Sequence, residues 1–227
     1  MKKIILLAAA LLGMTAAQAQ VADHVYGTKF TDNWSVTLKG GAVSPAHHYA
    51  FWKNARGIFG AEIRKQVTPV LGLGVEGEWT INTSSWNKAI TPVWGLHSAT
   101  MIDHQLVGAF AAFNLSNLFG GYKGEPRFFE VIPVAGLGWG HIFGDNNERL
   151  DGSKAFDYKN NLTSKLGIDF AFNFGGQKQW QAYIEPSITY GLNDKTDRAN
   201  YNISNAGVQY DINHSFVQLN AGVVYKF

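Results

Sequence analysis

Residues 215–227 read SFVQLNAGVVYKF. Val217, Leu219, Ala221, Val223, Tyr225 and Phe227 fall at every second position and are apolar, while Gln218, Asn220, Gly222 and Lys226 lie between them. Phe216 and Val224 are the two exceptions. A period of two over this length is the pattern of a β-strand with one apolar and one polar face. A strand running to an aromatic end needs a partner, because a bare sheet edge presents a row of unsatisfied backbone groups. Within a bilayer only closure into a cylinder removes that edge. The stretch predicts a membrane barrel whose last strand pairs with its first.

The same period recurs seven more times upstream, at residues 34–42, 58–67, 71–82, 104–115, 128–143, 162–174 and 180–192. In 71–82, Leu71, Leu73, Val75, Trp79 and Ile81 oppose Gly72, Gly74, Glu76, Glu78 and Thr80. In 162–174, Leu166, Ile168, Phe170, Phe172 and Phe174 oppose Lys165, Gly167, Asp169 and Asn173. Only 104–115 is apolar on both faces. Each run can cross a membrane as a tilted strand of ~9–11 residues. The connections alternate between long and short. Tight turns fall at Thr68-Pro69 and at 175–179, a medium one at 116–127, and long segments at 44–57, 83–103, 144–161 and 193–213. This parity predicts an all-β, eight-stranded antiparallel up-and-down transmembrane β-barrel with short periplasmic turns and long external loops.

Aromatic residues on the outward register fall near the two ends of the strands. Trp34, Phe113, Phe129, Phe172, Phe174, Trp180, Tyr225 and Phe227 mark the periplasmic side, and Phe59, Trp79, Trp139 and Tyr190 the outer side. Two such girdles are what interfacial anchoring requires. The inward register carries the charges: Lys39, Arg64, Lys165 and Lys226 against Glu62, Glu76, Glu78, Glu130, Asp169 and Glu185. Away from strand ends the lipid-facing register has none, and Lys65 lies by the periplasmic turn. Eight strands leave an interior only wide enough for side chains. Charges enclosed there must pair and hydrogen-bond, so the lumen is read as a structural ion-pair network. The glycines of the third and fifth runs make room for its long side chains.

The chain begins with Met1-Lys2-Lys3, the apolar run 4–12 and the small-x-small site Ala17-Gln18-Ala19. The run is too short to span a bilayer, and the three features together predict a cleaved signal peptide over residues 1–19. The barrel then occupies residues 20–227, in the cell outer membrane. Among 227 residues there is no cysteine, which removes disulfides, thiolate chemistry and a lipoprotein anchor. Without Lys2 and Lys3 the 19 basic residues become 17, matching the 17 acidic ones. No basic excess remains for a nucleic-acid partner.

Sites of chemistry are sparse. Glu76 and Glu78 with Glu62 could form an acid–base pair, yet residues two apart on a strand share a face in any case. His47-His48, His97 and His104 have no carboxylate or cysteine companion at metal-ligand spacing. Asp145-Asn146-Asn147-Glu148 with Asp151-Gly152 lacks the spacing of a calcium loop. No catalytic residue, cofactor or metal is expected. Trp52, Trp86, Trp94, Tyr201 and Tyr210 stand among polar loop residues and suit recognition at a surface.

Several segments resemble the N-terminal barrel of OmpA-like outer-membrane proteins of the Bacteroides type. They are Asp32-Asn33-Trp34, residues 114–122 (NLSNLFGGY), residues 127–133 (RFFEVIP), residues 162–165 (LTSK) and residues 221–227 (AGVVYKF). The resemblance covers nearly all of 30–227. Its motifs are structural rather than catalytic, and it implies the barrel more than a role. Longer members carry a periplasmic peptidoglycan-binding domain, whereas this sequence stops at Phe227, as a free-standing OmpX-like barrel or a shortened form would. Tyr225 and Phe227 resemble the signal read by the outer-membrane insertion machinery. The expected function is a non-enzymatic, monomeric integral barrel that supports membrane integrity among outer-membrane lipid and lipopolysaccharide and offers its loops for interaction. A small porin is the alternative. A lipid-modifying enzyme is a third, for which His141 is the only histidine on the lipid-facing register near the outer edge.

Overall fold

The computed structural model describes residues 30–46, 50–81, 101–143, 160–191 and 211–227. The expected signal peptide lies outside the described residues. So do His47, His48, His97, the acidic run 145–152, and the loop aromatics Trp86, Trp94, Tyr201 and Tyr210. The strands are β1 (Trp34–Pro45), β2 (Arg56–Gln66), β3 (Leu71–Ile81), β4 (Ile102–Phe113), β5 (Phe129–Ile142), β6 (Asn160–Phe174), β7 (Trp180–Gly191) and β8 (Asp211–Lys226). Each pairs antiparallel with its neighbours in sequence, and the sheet closes on itself. The closing seam joins β1 to β8 from Ser35↔Lys226 to Pro45↔Phe216.

The barrel is inside out relative to a water-soluble protein. Leu38 is 70 % exposed, Leu137 60 % and Val75 54 %, whereas Glu78, Glu185 and Lys165 are 1 %, 1 % and 2 % exposed. Apolar side chains stand outward along each strand and polar ones point in. This arrangement is stable only where the outside is hydrocarbon. The lower girdle is a set of touching rings: Trp180 with Tyr225, Phe129 with Phe172, and Phe30 with Trp34. At the other end Phe59 stacks on Trp79, and Trp139 leans on His141. Lys65, at the lower rim, donates to the Phe30 and Asp32 carbonyls at 2.9 and 2.7 Å.

Several boundaries run further than the alternation suggests. β1 continues from Ala42 to Pro45, β6 begins at Asn160, and β8 begins at Asp211. These extra rungs carry no clean period, and cross-strand pairing holds them. Two short helices carry no sequence signal of their own: α1 (Phe51–Asn54) in the first long connection and α2 (Leu115–Gly120) after β4. Asn114 caps α2 by accepting from the Asn117 amide at 2.9 Å. Asn117 Nδ2 then donates to the Pro69 carbonyl at 2.9 Å, which ties α2 across the tight turn between β2 and β3.

The lumen is not uniformly polar. Phe110, Ala112, Ile132, Val134, Ala171 and Val224 form a buried apolar cluster with Tyr183. These are inward residues, which explains why β4 alternates poorly: both its faces are apolar. The exception Val224 in β8 belongs to this cluster, and the other exception, Phe216, packs on His104 at 5.8 Å.

Candidate functional site

Two lysines occupy the middle of the lumen. Lys39 Nζ, from β1, lies 2.7 Å from Glu62 Oε1 and 2.6 Å from Glu76 Oε2, and it also contacts Glu78. Lys165 Nζ, from β6, lies 2.8 Å from Glu76 Oε2, 2.9 Å from Glu78 Oε1 and 2.9 Å from Glu185 Oε1. An ammonium has three donors, and each of these two has three carboxylate partners. Glu76 and Glu78 are shared, so strands on opposite walls are joined across the barrel. Neutral groups add further donors to these carboxylates. Gln218 Nε2 donates to Glu78 Oε2 at 3.2 Å, Ser187 Oγ to Glu185 Oε1 at 2.9 Å, and Tyr183 Oη to Glu62 Oε1 at 3.4 Å. Glycine makes the room: a Cβ at Gly60 would meet Lys39 Cε at 3.0 Å and Glu78 Cγ at 3.2 Å. Glu76 Oε2 and Glu78 Oε1 are therefore each held by two ammonium groups.

A second, looser group lies below. Arg64 reaches Asp169 Oδ2 only at 3.9 Å and Gln181 Oε1 at 3.4 Å. Lys226 Nζ donates to Asn173 Oδ1 at 2.6 Å, and Asn173 Nδ2 donates to Glu130 Oε2 at 2.9 Å, so an amide bridges the two charges. The ten charged residues singled out in the sequence thus all face inward. Six of them form the central cluster, and Arg64, Asp169, Glu130 and Lys226 form the lower group. Lys226 is half-buried and the other nine are buried.

Some lumen residues escaped the sequence. Arg56, 2 % exposed, faces inward on β2, but placing the start of that strand at Ile58 hid it. Its even register, shared with Glu62 and Arg64, is the signal that would have found it. Asn173, Gln181, Gln218 and Ser187 were legible as polar-face residues, but only the folded barrel shows which charges they bond. His141 stands near the outer girdle, its Nδ1 2.9 Å from Asn160 Oδ1, while Trp139 Nε1 donates to the same oxygen at 3.1 Å. Among the described residues no group of three or more histidine, cysteine, aspartate or glutamate side chains is arranged to hold a metal ion.

The lower end of the lumen opens into a cavity of about 360 Å³ beneath Arg64, Glu130 and Lys226, walled by α2 and by the turn between β6 and β7. Tyr122 stands in its wall. Burial, then the charges of Glu130 and Glu125, push its phenol pKa above the ordinary value.

The register, the closed ring and the inverted burial decide the architecture. The fold is that of an eight-stranded outer-membrane barrel. Neisserial surface protein A is similar at 12 % identity and a TM-score of 0.50, over 86 % of this chain and 98 % of that one. The N-terminal barrel domain of Pseudomonas aeruginosa OprF is 12 % identical with a TM-score of 0.46, over 86 % and 98 %. A major outer membrane protein of Thermus thermophilus is 12 % identical with a TM-score of 0.42, over 86 % and 99 %. No family model and no curated protein sequence matches the chain.

Proposed function

We propose that this protein is a structural, non-enzymatic barrel of the bacterial outer membrane, exported through a cleaved signal peptide. It acts as a monomer held among outer-membrane lipid and lipopolysaccharide, with its long connections outside. The observation that carries this reading is the pair of buried ammonium groups, Lys39 and Lys165, each held by three carboxylates across the lumen. Such a cluster fills the space an eight-stranded barrel encloses and ties its opposite walls together. The sequence resemblance to the Bacteroides-type OmpA-like barrels belongs with this reading. So does a role for Tyr225 and Phe227 as the mark the insertion machinery reads.

Planar-bilayer recording of the detergent-folded protein tests the proposal. The expected result is no stable conductance. A steady conductance that changes with Glu76→Gln or Arg64→Gln would put a small porin in its place. Loss of the gene should raise sensitivity to detergents and leave lipid A unaltered; altered lipid A would indicate a lipid-modifying enzyme instead.

A further inference from the structure

Near its outer end the lipid-facing surface carries an uncharged polar row that closing the barrel does not require. Trp79 pairs with Gln105, Gln105 with His141, and His141 with Asn160, so these four stand side by side across β3 to β6. Gln105 faces outward with Val107, because Leu106 between them is buried in the lumen. Phe59 pairs with Trp79 and stacks on it, which places the row within the upper girdle. A polar side chain turned toward hydrocarbon is costly without a partner, so the row belongs at the level of the lipid headgroups.

Trp139 fixes the hydrogens of this row. An indole N–H only donates, so the Asn160 atom that it meets at 3.1 Å is the carbonyl oxygen. His141 Nδ1 lies 2.9 Å from the same oxygen and must donate to it. In the neutral ring Nε2 is then an acceptor, directed away from Asn160. It has no partner among the described residues, and neither do Asn160 Nδ2 and the Gln105 amide. The row therefore presents free acceptors and free donors together. A hydroxyl, which both donates and accepts, satisfies such a row. An ionised phosphate only accepts and would meet the lone pair of Nε2. Among the described residues β3 to β6 carry no lysine or arginine on this face to hold one. The rings of Trp139 and His141, 5.4 Å apart and inclined at 31°, add a shallow aromatic step whose negative faces suit the C–H face of a sugar. Deeper toward the membrane middle, Val107 and Leu137 are exposed and apolar. A ligand with hydroxyls at one end and a hydrocarbon chain at the other matches both levels.

We propose that the outer edge of β3 to β6 binds the sugar headgroup of a membrane glycolipid. Its hydroxyls bond His141 Nε2, Asn160 Nδ2 and the Gln105 amide, its ring lies on Trp139, and its chain runs down past Val107 and Leu137. Placing that lipid in the outer leaflet rests on the outer-membrane reading; the binding chemistry does not.

The test is titration of the full chain folded in dodecylphosphocholine, a detergent without sugar, followed by the NMR signals of the His141 ring and the Trp139 indole N–H. The probes are octyl glucoside, lysophosphatidylglycerol and chain-free methyl glucoside. Saturable shifts are expected with octyl glucoside, at least about tenfold weaker with either other probe. His141→Phe keeps an aromatic ring and removes Nε2, and it should weaken the octyl glucoside response at the Trp139 indole by about tenfold, as loss of one hydrogen bond implies. Equal binding of lysophosphatidylglycerol would mark a general lipid contact, and equal binding of methyl glucoside a site for free sugar. Shifts that follow protein concentration instead of the probe would mark a second copy of the chain. Each of these, or the absence of a saturable shift, would overturn the proposal. The comparison of probes decides the matter on the unmutated chain even if the variant fails to fold. Cell fractionation, by contrast, would expose a wrong compartment while leaving the titration result standing.

Discussion

Gly222 shows how much one position depends on the wall beside it. A Cβ there would sit 2.5 Å from Tyr183 Cζ and 2.7 Å from its hydroxyl. Tyr183 is 3 % exposed and belongs to the apolar cluster, so its ring has little room to yield. Gly222→Ala should lower stability by about 1–3 kcal/mol, as overpacking does, read from the urea midpoint of the detergent-folded protein. Gly176→Ala is the control, since nothing lies within 4 Å of a Cβ at that position, and its midpoint should not move. Glycine at 222 was legible as a polar-face residue of the last strand. The reason for it was not, because Tyr183 is 39 positions away and meets it only through the β7–β8 register.

Strands were the most legible elements, since a period of two declares itself wherever one face meets lipid and the other the lumen. β1 illustrates the stakes. Leu38, between Ala61 and Val223, faces outward, and Lys39 beside it faces in. Leu38→Arg should cost about 2–4 kcal/mol if the residue lies near the bilayer midplane, measured by reversible unfolding in lipid vesicles. An unchanged stability would place that face in water. Phe227 makes a second case. Its ring is 62 % exposed and lies against Tyr225, while its backbone amide bonds the Trp34 carbonyl at 2.9 Å. Because Phe227→Ala keeps that backbone bond, it should reduce assembly in cells, followed by heat-modifiable migration, far more than it reduces stability in detergent. Equal assembly of the two chains would remove the assembly role and leave the barrel intact. The helices α1 and α2 were illegible, being too short to show a helical period, and the cap and cross-turn bonds of Asn114 and Asn117 define the second.

Across the barrel, the central cluster takes the place that a hydrophobic core holds in a soluble domain. Lys165→Met would leave Glu185 with no ammonium partner and Glu76 and Glu78 with Lys39 alone, and breaking a buried pair in this way costs about 3–5 kcal/mol. The urea midpoint should fall accordingly, whereas Lys226→Met, which loses one bond at the half-open mouth, should shift it by about 1 kcal/mol or less. A small effect at Lys165 would mean that the cluster is not what joins the walls. Local alternation was enough to set the strand count, the facing of each strand, the closing partner of the last one and the inward placement of the charges. All of these follow from the high cost of a charge or a bare edge in hydrocarbon. Which charges meet was settled by the folded barrel alone. So were the sharing of Glu76 and Glu78 by two lysines, the apolar cluster inside the lumen, and the meeting of Arg64, Lys226 and Asn117 at one cavity. Those facts depend on the shear that offsets each strand from the next, and shear leaves no mark in the sequence of a single strand.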